Sequence, residues 1–320
     1  MGRSRKKGDP VHGWLILDKP EEITSTQAVG KTRWLLNARK AGHGGTLDPL
    51  ASGVLPIAFG EATKTVAYAM EADKDYVFTI RWGASTTTQD REGEVTATSD
   101  ARPPREDIET ALAGFIGEID QIPPQFSAIK VDGERAYDLA RDGQKVELKP
   151  RKVVLHDAAL LDVPSEDLAV IKVTSGKGFY IRALVRDLAE KLGAEGHVAA
   201  LRRTRVGAFD ESAAIALDKF EEIGDKPAQR AKLVSVQTAL DDIPALAIRG
   251  DDAFKLRQGR EIVLLPHQIE AFREMRRPRQ IAGEDMSRIA LAMEGEKAAA
   301  LGEVRAGRFL PVRVFNFDTE

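Results

Sequence analysis

Between residues 42 and 56 the chain reads Gly-His-Gly-Gly-Thr-Leu-Asp-Pro-Leu-Ala-Ser-Gly-Val-Leu-Pro. Four glycines, one histidine and one aspartate crowd into this turn-rich run, and the apolar segment 54–59 follows at once. Glycine at that density marks backbone angles other residues avoid, or close approach of something to the main chain. Pro49 fixes its own φ and turns Asp48 away from helix. The expectation is a carboxylate, Asp48, presented from a shaped loop with a buried strand directly behind it. Such loops carry function disproportionately, although a solvated turn is the ordinary setting of an Asp-Pro pair.

The 320 residues suffice for two domains and a sizeable core. The absence of cysteine excludes disulfides, thiolate zinc sites and cysteine nucleophiles. Five scattered histidines without a helical pair lead us to expect no metal. No apolar run approaches bilayer length, and the basic stretch 1–8 lacks a following apolar region, so a cytoplasmic protein without membrane contact is expected. The formal net charge of −3 argues against a uniformly basic nucleic-acid binder. Distribution matters more than the sum. Residues 1–50 carry nine Lys/Arg against five Asp/Glu, and residues 176–210 carry seven against four. Cationic character therefore gathers at the tail, the glycine-rich loop and Arg202-Arg203-Thr204-Arg205, unless these are solvated faces.

Along the chain, residues 11–17 read as a strand and Thr24 to Thr26 as caps of a helix reaching residue 37. Residues 54–59 form a strand and 61–72 a helix. Residues 75–82 alternate with period two, placing Tyr76, Phe78 and Ile80 on one face; residues 94–98 are read as the neighbouring strand. A short helix covers 105–114. From Pro123-Pro124 to residue 151 the chain reads as a projecting, partly basic insertion with a short helix at 134–142. Strands follow at 152–161 and 168–175. After Gly176-Lys177-Gly178 a helix runs over 180–192, another short helix ends at Arg202, and 205–209 is a strand. This order is not a regular βαβ repeat, which indicates an α+β fold with a mixed sheet. Residues 218–245 read as a helical connector and 246–320 as a small β-rich module, within which 266–287, carrying Arg273, Arg276, Arg277 and Arg279, reads as a mobile insertion.

Phosphate-loop motifs fail. Val29-Gly30-Lys31-Thr32 lacks the required upstream glycine and lies in a helical pattern, and no GxGxxG surrounds His43. What remains is Asp48 with His43, Tyr76, Tyr180 and Arg182, each of which has an ordinary structural role available. A carboxylate nucleophile needs its anion in a partly desolvated pocket. Burial alone favours the neutral acid, and a nearby guanidinium restores the anion; Arg182 is the best candidate. Tyr76 could stack on a nucleobase, worth roughly 1–3 kcal/mol.

Gly42-His43-Gly44-Gly45-Thr46-Leu47-Asp48-Pro49, the early Asp18-Lys19-Pro20, Asp75-Tyr76 and Lys177-Gly178-Phe179-Tyr180-Ile181-Arg182 together resemble the TruB family of tRNA pseudouridine synthases, in the family's order. The resemblance covers residues 11–209. Gln121-Ile122-Pro123-Pro124 to Lys130 looks like the family's thumb-like RNA clamp, and the last 75 or so residues look loosely like a PUA-type RNA-binding module. It implies a pseudouridine-synthase fold, with a basic tail at 1–10, a catalytic domain at 11–245 and the PUA-like module at 246–320. It implies isomerisation of uridine 55 in the T arm of tRNA, without cofactor or metal, by a monomeric enzyme needing no protein partner. Asp48 would be the nucleophile, Tyr76 would stack and assist proton removal, and Arg182 would pair with Asp48. His43, Gly44, Gly45, Lys19, Tyr180, Lys130 and Leu201 would contact or support the RNA. A tRNA-folding chaperone using the same surface is the alternative.

Overall fold

The computed structural model describes residues 8–127, 130–131, 134–135, 148–278, 280–281 and 283–317, with backbone alone at 130–131 and 134–135. One mixed sheet organises the first three quarters of the chain. Its strands are β1 (Gly13–Lys19), β2 (Ala41–His43), β3 (Ala51–Phe59), β4 (Lys74–Trp82), β5 (Gly117–Gln121), β6 (Arg151–Ser165), β7 (Leu168–Ser175), β8 (Gly196–Val206), β9 (Phe209–Asp210) and β10 (Ile215–Ala216). The order is β10-β1-β3-β8-β4-β7-β6-β5, with β2 paired to β3 and β9 to β8. The pairs β1–β10 and β3–β8 are parallel and the others antiparallel.

The apolar runs of β1 and β3 are continuous because both sheet faces are covered there. Leu15, Leu17, Leu55, Ile57 and Phe59 enter one core together with Ala28, Ile108 and Leu184. These three belong to helices α1 (Ser25–Leu35), α3 (Arg105–Ala113) and α4 (Ile181–Lys191) respectively. The intervening Trp14, Ile16, Val54 and Ala58 enter a second core, shared with α2 (Val66–Glu71) and with Ile281, Ile289, Leu291 and Phe315. The last 75 or so residues therefore pack on the opposite face of the sheet. Their own sheet has the order β11-β13-β14-β15-β12, built from β11 (Ala245–Ala247), β12 (Ile262–Val263), β13 (Ile289–Glu294), β14 (Lys297–Arg305) and β15 (Arg308–Val314).

Several segments differ from the sequence reading. The helix expected to end at Arg202 is instead part of β8, an eleven-residue strand between β3 and β4. Alanine, leucine and arginine favour helix locally, but pairing on both edges and burial of Val198, Leu201 and Val206 outweigh that preference. Residues 94–98 are not a neighbour of β4, because Val95–Thr98 pairs with Ala84–Thr86. The helix expected over 61–72 is broken into a 3₁₀ turn, Gly60–Lys64, and α2, with the Thr65 hydroxyl bonded to the Ala62 carbonyl at 2.8 Å. Glu134–Arg135 pairs with Lys130–Val131 as extended chain, and the rest of the expected helix, 136–142, lies outside the described residues. The stretch 266–287 contains the helix Pro266–Met275 and a hairpin of Gln280–Ile281 with Glu284–Asp285, held by buried Phe272 and Ile281. Among the described residues no helix is long and apolar enough to cross a membrane.

Candidate active site

The loop carrying Asp48 is fastened from several sides. The Gly44 amide donates to the Pro56 carbonyl at 2.8 Å. The Ser25 hydroxyl accepts from the Leu47 amide at 2.8 Å and donates to the Leu47 carbonyl at 2.9 Å. The Glu22 amide reaches the Pro49 carbonyl at 2.8 Å. Arg203, 1% exposed, lies beneath the loop. Its guanidinium donates to the carbonyls of Gly45 and Thr46, each at 3.2 Å, and of Val54 at 2.8 Å. Tyr76 on β4 stands directly across from Arg203 on β8. Burial pushes the Arg203 pKa down, opposed by the adjoining Tyr76 hydroxyl and the Asp48 charge.

Arg182 comes from the first turn of α4, whose N-cap is Tyr180. The buried Gln121 side chain clasps Tyr180, accepting from its amide at 2.8 Å and donating to its carbonyl at 3.1 Å. Arg182 Nη2 meets Asp48 Oδ2 at 2.9 Å and donates to the Phe126 carbonyl at 2.8 Å. Its Nη1 donates to the Thr88 carbonyl at 2.9 Å and lies 3.6 Å from Asp90 Oδ2. The Arg182 side chain is 5% exposed against 35% for Asp48, so the cation is locked in the wall while the carboxylate keeps one side open.

These groups surround a cavity of about 270 Å³. The loop contributes Gly45, Thr46, Leu47 and Asp48; β4 contributes Lys74 and Tyr76; β8 contributes Leu201 and Arg203. Tyr180 and Arg182 close the far side, with Met70 of α2 at the rim. Burial pushes the Tyr180 phenol up, and the Asp48 charge adds to this, opposed by the nearby Ser127 hydroxyl. Burial pushes Lys74 down to about 8, with Arg203 adding to the effect. Glu92 is raised by burial and by the charges of Asp90 and Asp48.

Of the residues the sequence singled out, Asp48, Tyr76, Tyr180, Arg182, Gly45 and Leu201 line this one cavity. Lys19, expected to contact or support the RNA, lies inside the protein. It is fully buried, and its ammonium donates to the carbonyls of Pro20 at 2.7 Å, Ile23 at 2.9 Å and Pro49 at 3.5 Å. Burial lowers its pKa to about 8, against the raising charges of Asp48 and Glu21. Gly44 is likewise buried: a Cβ there would sit 2.9 Å from that of Ala69, so packing, not clearance for RNA, excludes a side chain. His43 lies half-buried on β2, opposite Ile57 and outside the cavity wall. The side chain of Lys130 lies outside the described residues. The basic run 202–205 is not a free surface. Arg202 pairs with Asp18 and Glu211, Arg205 with Asp75, and Arg203 is interior. Sequence reasoning missed Arg203, Lys74, Asp90 and Gln121 as parts of the site. Lys74 stands two residues before Tyr76 and Arg203 was visible as charge, whereas Asp90 and Gln121 carry no local signal.

An anchored carboxylate thus faces a tyrosine-walled cavity on this mixed sheet. Solved structures share the fold. An H/ACA RNP bound to a substrate RNA containing 2′-deoxyuridine aligns with a TM-score of 0.69 at 22% identity over 99% of this chain and 92% of that one. A Cbf5-Nop10-Gar1 complex aligns with a TM-score of 0.68 at 24% identity, over 98% and 90%. The family model for the TruB family pseudouridylate synthase N-terminal domain matches residues 33–181, and that for the tRNA pseudouridylate synthase B C-terminal domain matches 182–242. The tRNA pseudouridine synthase B of Caulobacter vibrioides is 58% identical over 97% of this chain and 98% of its own. That of Bradyrhizobium diazoefficiens is 50% identical over 98% and 88%. The chain belongs to the TruB family of pseudouridylate synthases.

Proposed function

We propose that this protein isomerises uridine 55 in the T arm of tRNA to pseudouridine. The observation carrying this reading is the 2.9 Å pair of Asp48 with buried Arg182 at the wall of a cavity that also holds Tyr76. A duplexed or stacked uridine cannot reach Asp48, so the base is flipped into the cavity, at a cost of a few kcal/mol. The N1–C1′ bond breaks, the uracil turns, and C5 bonds to C1′; the C5 proton leaves and N1 gains one, so no redox step is needed. Asp48 acts as nucleophile, with its anion supported by Arg182. Tyr76 stacks on the base and assists removal of the C5 proton. His43 fills the space the base vacates, and Lys130 in the insertion 123–151 clamps the RNA. Lys19 holds Pro49 and so positions Asp48. In the same reading 11–245 is the catalytic domain, and 246–320 is a PUA-like RNA-binding module. The protein works as a cytoplasmic monomer.

Asp48→Asn tests the assignment. The variant is expected to bind an unmodified T-arm transcript and to form no pseudouridine on mapping. Product at the wild-type rate refutes the role of Asp48, and a wild-type protein that binds and refolds tRNA without making product supports the chaperone alternative instead.

A further inference from the structure

The helix Pro266–Met275 and the hairpin that follows it enclose a cleft of about 620 Å³, lined among others by Arg273, Arg276, Arg277, Gln280, Asp285 and Ser287. It lies beyond the residues matched by the two family models. Three guanidiniums stand there against one carboxylate. Arg276 is aimed by its surroundings, donating through Nε to the Ser287 carbonyl and through Nη2 to the Ser287 hydroxyl, both at 3.0 Å. Arg277 donates to the backbone carbonyls of Glu274 at 2.8 Å and Arg276 at 3.0 Å. Asp285 accepts from the Ser287 amide at 2.9 Å. Among the described residues, none of the three arginines has a carboxylate within 4.0 Å, in contrast to the paired Arg202 and Arg205. All three residues are exposed, and a guanidinium can offer paired N–H donors to two phosphate oxygens at once.

The cleft is also tied to the catalytic cavity. Ile281 of its hairpin shares a core with Tyr68 and Ala69 of α2. The same helix carries Met70, which lines the catalytic cavity, and Glu71, which pairs with Lys177 at the rim. At six residues, α2 is about 9 Å long. We infer that the arginine cleft is a second RNA-backbone site, binding phosphates of the same nucleic acid whose base enters the cavity. This rests on the reading that RNA is the substrate.

The test uses the full chain with Arg273→Gln, Arg276→Gln and Arg277→Gln combined, binding to a full-length tRNA transcript over a salt series, and single-turnover pseudouridine formation. Loss of three phosphate contacts is expected to make the slope of log K against log salt shallower by about 2–3. Affinity should fall roughly tenfold or more at moderate salt, while the rate at saturating RNA is retained. The matching triple Arg→Lys variant keeps the charge and should recover the slope. Unchanged affinity and slope in the glutamine variant overturn the inference. So does a lysine variant whose salt slope stays as shallow as that of the glutamine one, because charge would then not be what binds. Wild-type protein that binds tRNA yet makes no product would instead sink the proposed function and leave the cleft standing.

Discussion

Arg203 should be as necessary to the reaction as the residues that face the base, although it lies under the loop and not at its surface. Its guanidinium holds the carbonyls of Gly45, Thr46 and Val54 at 3.2, 3.2 and 2.8 Å and adjoins Tyr76. Hydrogen bonds from a charged donor contribute about 1.5–3 kcal/mol each. Against three of these stands the desolvation of a buried cation, itself several kcal/mol. Arg203→Met removes both, and takes the guanidinium donor from the carbonyl of the buried Val54; the net destabilisation is about 2–4 kcal/mol. The larger effect falls on the rate. Gly45 and Thr46 precede Asp48 by three and two residues, and a displacement of about 1 Å at a reacting group can cost a hundredfold. Arg203→Lys isolates this effect: it keeps the charge but replaces a three-way fork by one ammonium on a shorter reach. Urea unfolding should report a folded Arg203→Lys protein. Single-turnover pseudouridine formation at saturating RNA should report a rate at least about a hundredfold down, with RNA affinity little changed. A lysine variant with the wild-type rate would show that the loop holds its shape without this anchor.

Arg182→Met should cost about 3–5 kcal/mol, because Asp90 is left buried and charged. Adding Asp90→Asn should recover part of that loss in a double-mutant cycle, and additive costs would refute the coupling. Lys19 and Lys74 both have pKa values lowered to about 8 from the ordinary 10.5, so the folded state sheds their protons first. Between about pH 8 and 10 the unfolded chain then binds more protons, and unfolding free energy should rise with pH; a flat urea midpoint across that window counts against the burial of charge at both. Gly53 has φ +101, and a Cβ there would lie 2.2 Å from the Arg203 carbonyl oxygen. Gly53→Ala should therefore destabilise by about 3 kcal/mol or more, and an unchanged melting temperature would contradict this close crossing of β3 and β8.

The parts of the site that were legible in the sequence are those whose signal is local. Asp48 announces itself because glycines and a proline surround it within a few residues. Tyr76 follows from period-two alternation, and the structure places it in the core of β4 with Phe78 and Ile80. Arg182 follows from a helix that begins after a glycine break. The burial of Lys19 and of Gly44 escapes the sequence for a common reason. A lysine is ordinarily exposed and a glycine ordinarily serves the turn that contains it. Both expectations fail where distant chain closes over the residue: three carbonyls converge on the Lys19 ammonium, and Ala69 and Trp14 fill the space beside Gly44. Gln121 and Asp90 were unreadable because each acts on α4 from another element.

The run Arg202-Arg203-Thr204-Arg205 shows why charge along a sequence does not locate an RNA-binding face. On β8 successive side chains point to opposite faces. Arg203 therefore turns into the core beneath the loop, and Arg202 turns to Asp18 and Glu211. A strict alternation would send Arg205 the way of Arg203, but the pairing with β4 shifts register between these two residues. The irregularity carries Arg205 out to Asp75, which it meets through two hydrogen bonds of 2.8 Å. All three cations of the run are thereby committed within the protein. In a chain with a formal net charge of −3, arginines not paired with a carboxylate are the better source of phosphate-facing charge, and the cleft at Arg273, Arg276 and Arg277 supplies a cluster of them.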